Sequence, residues 1–260
     1  MIYDIDKNQY NYAFDIDGMS LNQAYDIDKN PLFDIEPPIV EAFKVMSYNV
    51  GSWTAFGGKA TSENQETWYT LQNSILSTED ADLLGIQEYY SKIGSYSVPT
   101  MLGQYYPYLF AVDWVSTKAG RAIASKYPMT NTREVNFQNQ NGEIRSYVIG
   151  DVTIEGKTIK FISAHLALVN ATIALQIQEL LNTVSNFDYW VLTGDFNINF
   201  PDEQSEGYNV LVKPFLDAGY HVANGSVFGF IPTFTTKKTG RRFFVELFGQ
   251  HHVFCKYRHN

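Results

Sequence analysis

Five side chains in the 260-residue sequence have functional groups suited to phosphate-ester chemistry, and each sits where a strongly apolar run stops: Asn49, Glu88, His165, Asp195 and Asn197. Glu88 offers a carboxylate able to hold a hard cation such as Mg²⁺, which takes one or two carboxylates and completes its shell with water and phosphate oxygens. Asp195 could orient or deprotonate an attacking water. Asn49, His165 and Asn197 could donate hydrogen bonds to phosphoryl oxygens as charge builds on them. Taken singly, each has an ordinary structural role: a histidine after a strand is commonly a hydrogen-bonding group, and Asp-Phe-Asn at 195–197 is a good turn former. Together they form the inventory for metal-assisted hydrolysis of a phosphate ester.

The elements that must position these groups are short apolar runs bounded by turn residues. Strands are expected over 43–50, 82–90, 121–128, 145–154, 158–166 and 189–198, each rich in β-branched or aromatic residues. Between them, 66–76 places Trp68, Leu71 and Ile75 on one helical face, and 171–184 does the same with Ile173, Ile177, Leu180, Leu181 and Val184. Strands in series with helices placed to cover them predict a layered α+β architecture, with sheets packed inside an outer helical layer.

Composition narrows the rest. The chain is 45% hydrophobic and 18% charged, as a globular protein is. No stretch reaches the roughly 20 apolar residues of a membrane span, and the first twenty residues carry four aspartates where a signal peptide would be basic and then apolar. The expectation is a soluble protein, cytoplasmic by default. One cysteine, Cys255, leaves no internal disulfide and no multi-thiolate metal site. The net charge of −9 is uneven: residues 1–41 hold nine acids and two lysines, whereas 237–260 hold six bases and one acid. No basic stripe crosses the acidic middle, which weakens a DNA-binding reading without removing it.

Residues 1–41 repeat a unit of aromatic, Asp, Ile and acid, at 3–8, 14–18, 25–30 and 33–37. The alternation suits short hairpin strands with one acidic face, or an appended flexible tag. A calcium site is the sharper alternative, but the spacing lacks the Gly and distal Glu of a calcium loop. Residues 36–38, Glu-Pro-Pro, read as a linker.

At the five candidate residues the sequence resembles the endonuclease/exonuclease/phosphatase superfamily, with its DNase I-like fold. Five blocks carry the resemblance in the family's order: "VMSYNV", "LLGIQE", "GRAIASKYP", "FISAHL" and "LTGDFN". "IPTFTT" at 231–236 extends it, giving a catalytic domain over 42–236. The resemblance implies a four-layered α/β sandwich with its site at one edge of the paired sheets, and Mg²⁺ or Mn²⁺ as cofactor. It implies that Asn49 and Glu88 belong to the metal and phosphate site, that His165 and Asn197 contact the phosphate, and that Asp195 positions or activates water. DNA, RNA, inositol phosphates and phospholipid headgroups all remain open as substrates. Many members carry an Arg shortly after the His block, and "ALVNATIAL" has none.

The resemblance stops past Thr236. The family's closing strand and its Ser-Asp-His block, whose His acts as general base, are missing, and His251, His252, Cys255 and His259 crowd the last ten residues. Three readings stand for 237–260: a metal-binding tail with His251, Cys255 and His259 four apart, a natural variant, or a frameshift, since a one-nucleotide shift over 243–259 permits a Leu-Asp-Asn-Ile run. On the third, the chain lacks its last strands, leaves a sheet edge bare and is weakly active or inactive. Two functions follow as expectations: a divalent-metal phosphodiesterase or nuclease, and a catalytically dead binding or attachment module that retains the fold.

Overall fold

In the computed structural model, residues 43–54, 60–198 and 204–220 are described in full, and 221–222 and 251–256 through their backbone. The N-terminal repeats, the Glu-Pro-Pro linker, the 231–236 segment and His259 lie outside the described residues.

Two sheets form the centre. The first contains β1 (Val45–Asn49), β2 (Leu83–Tyr89), β5 (Tyr108–Val112) and β6 (Gly120–Ser125), in the order β1-β2-β6-β5. A small hairpin, β3 (Lys92–Ile93) with β4 (Tyr96–Ser97), stands apart from it. The second sheet runs β11-β12-β10-β9-β8-β7. Its strands are β7 (Met129–Asn136), β8 (Ser146–Ile154), β9 (Lys157–His165), β10 (Trp190–Asp195), β11 (His221–Val222) and β12 (His251–Lys256). The β1/β2 and β9/β10 pairs are parallel, and the other ladders are antiparallel.

Burial assigns each strand face to a layer. In β2, Leu84 and Ile86 pack with Ile75 and Leu76 of α1 (Gln65–Glu79) and with Met101 and Leu102 of α2 (Val98–Leu102). Leu83 turns the other way and joins Ile123, Val148, Val152, Phe161 and Val191 between the sheets. The outer face of the second sheet, through Ile149, Ile162, Trp190 and Leu192, receives Ile173, Ile177, Leu180 and Val184 of α3 (Asn170–Val184) and Phe215 of α4 (Lys213–Asp217). The result is the four-layered helix, sheet, sheet, helix sandwich, and burial on both faces explains why β2 and β10 read as continuous apolar runs rather than alternating ones.

Two readings of the sequence shift. Leu71 is 41% exposed, and the buried stripe of α1 is Gln72, Ile75, Leu76 and Glu79. Gln72 earns its buried place by accepting from the Tyr48 hydroxyl (2.7 Å) and donating to Trp53 O (3.1 Å). The edge of β10 expected to be bare is paired along its length with β12, from Trp190 opposite Lys256 to Asp195 opposite His251.

At Gly85 the two sheets approach closely. A methyl there would lie 3.0 Å from Thr193 Cβ and closer still to its Oγ1. Gly85→Ala is expected to cost about 1–3 kcal/mol in denaturant unfolding. Thr193→Ala in the same chain should return at least half of that loss, and simple addition of two losses would contradict the contact.

Candidate active site

The five residues converge because β1, β2, β9 and β10 all end on the same edge of the sandwich. Asn49 is the last residue of β1 and Asp195 the last of β10, directly across from His165, the last of β9. Glu88 sits in a bulge of β2 with φ of 56°, between Gln87 and Tyr89, which keep their partners in β6. A bulge re-aims one side chain without breaking the strand. Asn197, with φ of 52°, lies two residues past β10, in a left-handed conformation that Asn tolerates better than most residues.

Asn49 ties the carboxylates together. Its Nδ2 donates to Glu88 Oε1 at 3.0 Å and to Asp195 Oδ2 at 2.8 Å. Its Oδ1 accepts from Gly51 N–H at 2.9 Å, an Asx turn that fixes the amide's direction. Both donors of this amide are thus engaged by acids from two different sheets. Asp195 is held further by Asn197 N–H at Oδ1 (3.0 Å), and its Oδ2 is 3.9 Å from His165 Nε2. Asn197 Nδ2 donates to Leu166 O at 2.9 Å, which locks the turn after β10 to the segment after His165. His165 and Asp195 are buried; Asn49, Glu88 and Asn197 are half-buried.

The acids share a cramped space. Burial raises the pKa of Glu88 above the ordinary glutamate value. The Asn49 hydrogen bond opposes that shift, the Asp195 charge adds to it, and the nearby charges of Arg145 and Glu143 lower and raise it respectively. Among the described residues no three His, Cys, Asp or Glu side chains gather as a metal-binding group. Two carboxylates on one amide nonetheless fit a hard cation of the Mg²⁺ type, which needs only one or two protein carboxylates.

Arg145 was not singled out from the sequence. It precedes β8, whose first residue, Ser146, lies opposite His165, so it belongs to the same edge. Its guanidinium is buried and paired with Glu143 at 2.7 Å, and Nη1 has no acceptor among the described residues. The signal was available: a lone Arg directly before a buried strand whose neighbour ends in the candidate histidine.

Residues 46–242 match the Endonuclease/Exonuclease/phosphatase family. Solved structures with the same fold include D. rerio TDP2 carrying 14 humanizing mutations (16% identity, 82% of this chain and 83% of that chain, TM-score 0.59). A family protein from Leptotrichia buccalis C-1013-b (18%, 83% and 88%, 0.58) and the Bacteroides thetaiotaomicron VPI-5482 mannosyl-6-phosphatase (15%, 83% and 85%, 0.54) share it as well. No curated protein matches the chain. With its five candidate residues gathered on one edge of a four-layered sandwich, the chain belongs to the Endonuclease/Exonuclease/phosphatase family.

Proposed function

We propose that the chain is a divalent-metal-dependent phosphoesterase acting on a phosphodiester, nucleic acid included, with residues 42–236 as the catalytic body and 1–41 as an appended segment. One observation carries this reading: Glu88 and Asp195, from different sheets, are held on the single amide of Asn49 beside a buried histidine and a buried arginine. Similar structures handle phosphate esters of different kinds. One D. rerio TDP2 structure is complexed with a single-strand DNA product, and another neighbour is a mannosyl-6-phosphatase.

Glu88 would hold Mg²⁺ or Mn²⁺, with Asn49 bracing it against Asp195. When bound, such an ion neutralises phosphate charge and lowers the pKa of bound water. The chain's own groups do the rest. Asp195, fixed through both oxygens, orients the attacking water or takes its proton. His165 and the second N–H of Asn197 donate to the phosphoryl oxygens, and Arg145 Nη1 offers a further donor. Residues 1–260 hold no Ser-Asp-His block, so the general base is sought among the residues present. β12 brings the backbone of His251 into register with Asp195, which makes His251 the first position to test.

Asp195→Asn and His165→Ala should each lower kcat by about 10²–10⁴. His251→Ala should lower it by a similar factor if His251 serves as base, and His252→Ala should not. Removing residues 1–38 should leave turnover intact, whereas the attachment-module alternative predicts no turnover in either form and loss of partner binding on deletion.

Glu88 also gives a stability test. Its folded pKa lies above the unfolded value, so the folded state holds the proton more tightly. Stability therefore falls as pH rises from the ordinary glutamate range through the raised value, and the penalty persists at neutral pH. Without divalent cation, Glu88→Gln should raise Tm, by about 2–4 °C per kcal/mol relieved, and flatten that part of the pH profile. Mg²⁺ should raise the wild-type Tm and leave the variant unmoved; an equal Mg²⁺ shift in both would remove Glu88 from the metal site.

A further inference from the structure

Beside the carboxylate pair lies a second set of charges that phosphate-ester chemistry does not by itself require. Arg121 stands in β6 directly across from Gln87, the residue before the Glu88 bulge, and is completely buried. Gln87 faces the second sheet, donating to Ser163 Oγ at 2.9 Å, and Ile123, two residues beyond Arg121, packs between the sheets. Arg121 therefore occupies the inter-sheet space at the site's edge. Its Nη1 donates to Ala119 O at 2.7 Å and is 3.9 Å from Glu134 Oε1, while Nε and Nη2 reach no acceptor among the described residues. Glu134, in β7, is already bound by Lys118 Nζ (2.7 Å) and Ser146 Oγ (2.5 Å). Glu143 accepts from Ala119 N–H at 3.1 Å and pairs with Arg145. Lys118, Arg121 and Arg145 thus share Glu134 and Glu143, leaving one positive charge in excess.

A wholly buried arginine is rare, because desolvation of its charge must be repaid by partners, and an aliphatic residue like Ile123 would fill the same slot without that cost. What the charge can do is act on Arg145. The two guanidinium groups repel each other across buried space, and burial together with Arg145 pushes the Arg121 pKa down to about 10. We infer that Arg121 is a positioning residue: its fixed cation, set against Glu134, keeps the Arg145 guanidinium from turning inward to that carboxylate, so Nη1 is not captured by it. The inference rests on Arg145 being the phosphate contact proposed above.

The test uses the full chain with Mg²⁺ and measures affinity for inorganic phosphate by calorimetry, alongside the melting temperature of each variant. Arg145→Met should weaken phosphate binding about tenfold or more. Arg121→Met should weaken it similarly, with no further loss in the double variant, because both changes remove one contact. Arg121→Met/Glu134→Gln, which replaces the inward carboxylate by a neutral amide, should recover affinity to within about threefold of wild type. Arg121→Lys, which keeps the charge, should also stay within about threefold and carries the test if Arg121→Met does not fold. Wild-type affinity in Arg121→Met, additive losses in the double variant, or a tenfold loss in a normally melting Arg121→Lys overturns the inference. Wild-type affinity in Arg145→Met instead overturns the reading of Arg145 as phosphate contact.

Discussion

Everything at this edge depends on one amide. Asn49 Nδ2 spans Glu88 and Asp195, which come from opposite sheets of the sandwich. Two carboxylates within reach of one nitrogen repel each other, and partial burial makes the repulsion dearer. Three things hold them there: the turn that locks Asn49 through Gly51, the bulge that aims Glu88, and the backbone N–H of Asn197 on Asp195. The site is thereby a preformed negative pair, and a cation is the natural counterweight.

That arrangement constrains the space behind it. For one amide to reach acids on both sheets, the sheets must stay close at this edge. Gly85 against Thr193 and Gln87 against Ser163 keep them so. Further from the edge the gap is filled by Leu83, Ile123, Val148 and Phe161. Near the edge, apolar filling gives way to Arg121, Glu134 and Arg145, so the interior grades from hydrocarbon to charge over two residues of β6. Positive charge thus lies beside the acids, where an anionic substrate needs it.

Much of this was legible in the sequence, for a physical reason. Strands buried on both faces need unbroken apolar runs, so 82–90, 145–154, 158–166 and 189–198 stood out, and polar residues at their ends were conspicuous. β7 was missed because its Thr132, Glu134 and Asn136 break the apolar pattern in an edge strand. β5, also an edge strand, is only half-buried. Leu71 was misplaced on α1 because Gln72, polar by type, takes the buried position through Tyr48 and Trp53. Arg121 and Arg145 escaped notice since a charge beside an apolar run usually reads as solvated surface; only the sheet register shows both on the buried edge.

The central claim is that Glu88, joined to Asp195 through Asn49, holds the cation of a phosphoesterase site. Anomalous diffraction from crystals of the full chain soaked in Mn²⁺ tests it most directly. The account predicts a Mn²⁺ peak on the Glu88 carboxylate at the strand-end edge shared with Asp195, lost in Glu88→Gln crystals. A peak elsewhere with this edge empty at saturating Mn²⁺, or one that survives the substitution, would contradict it.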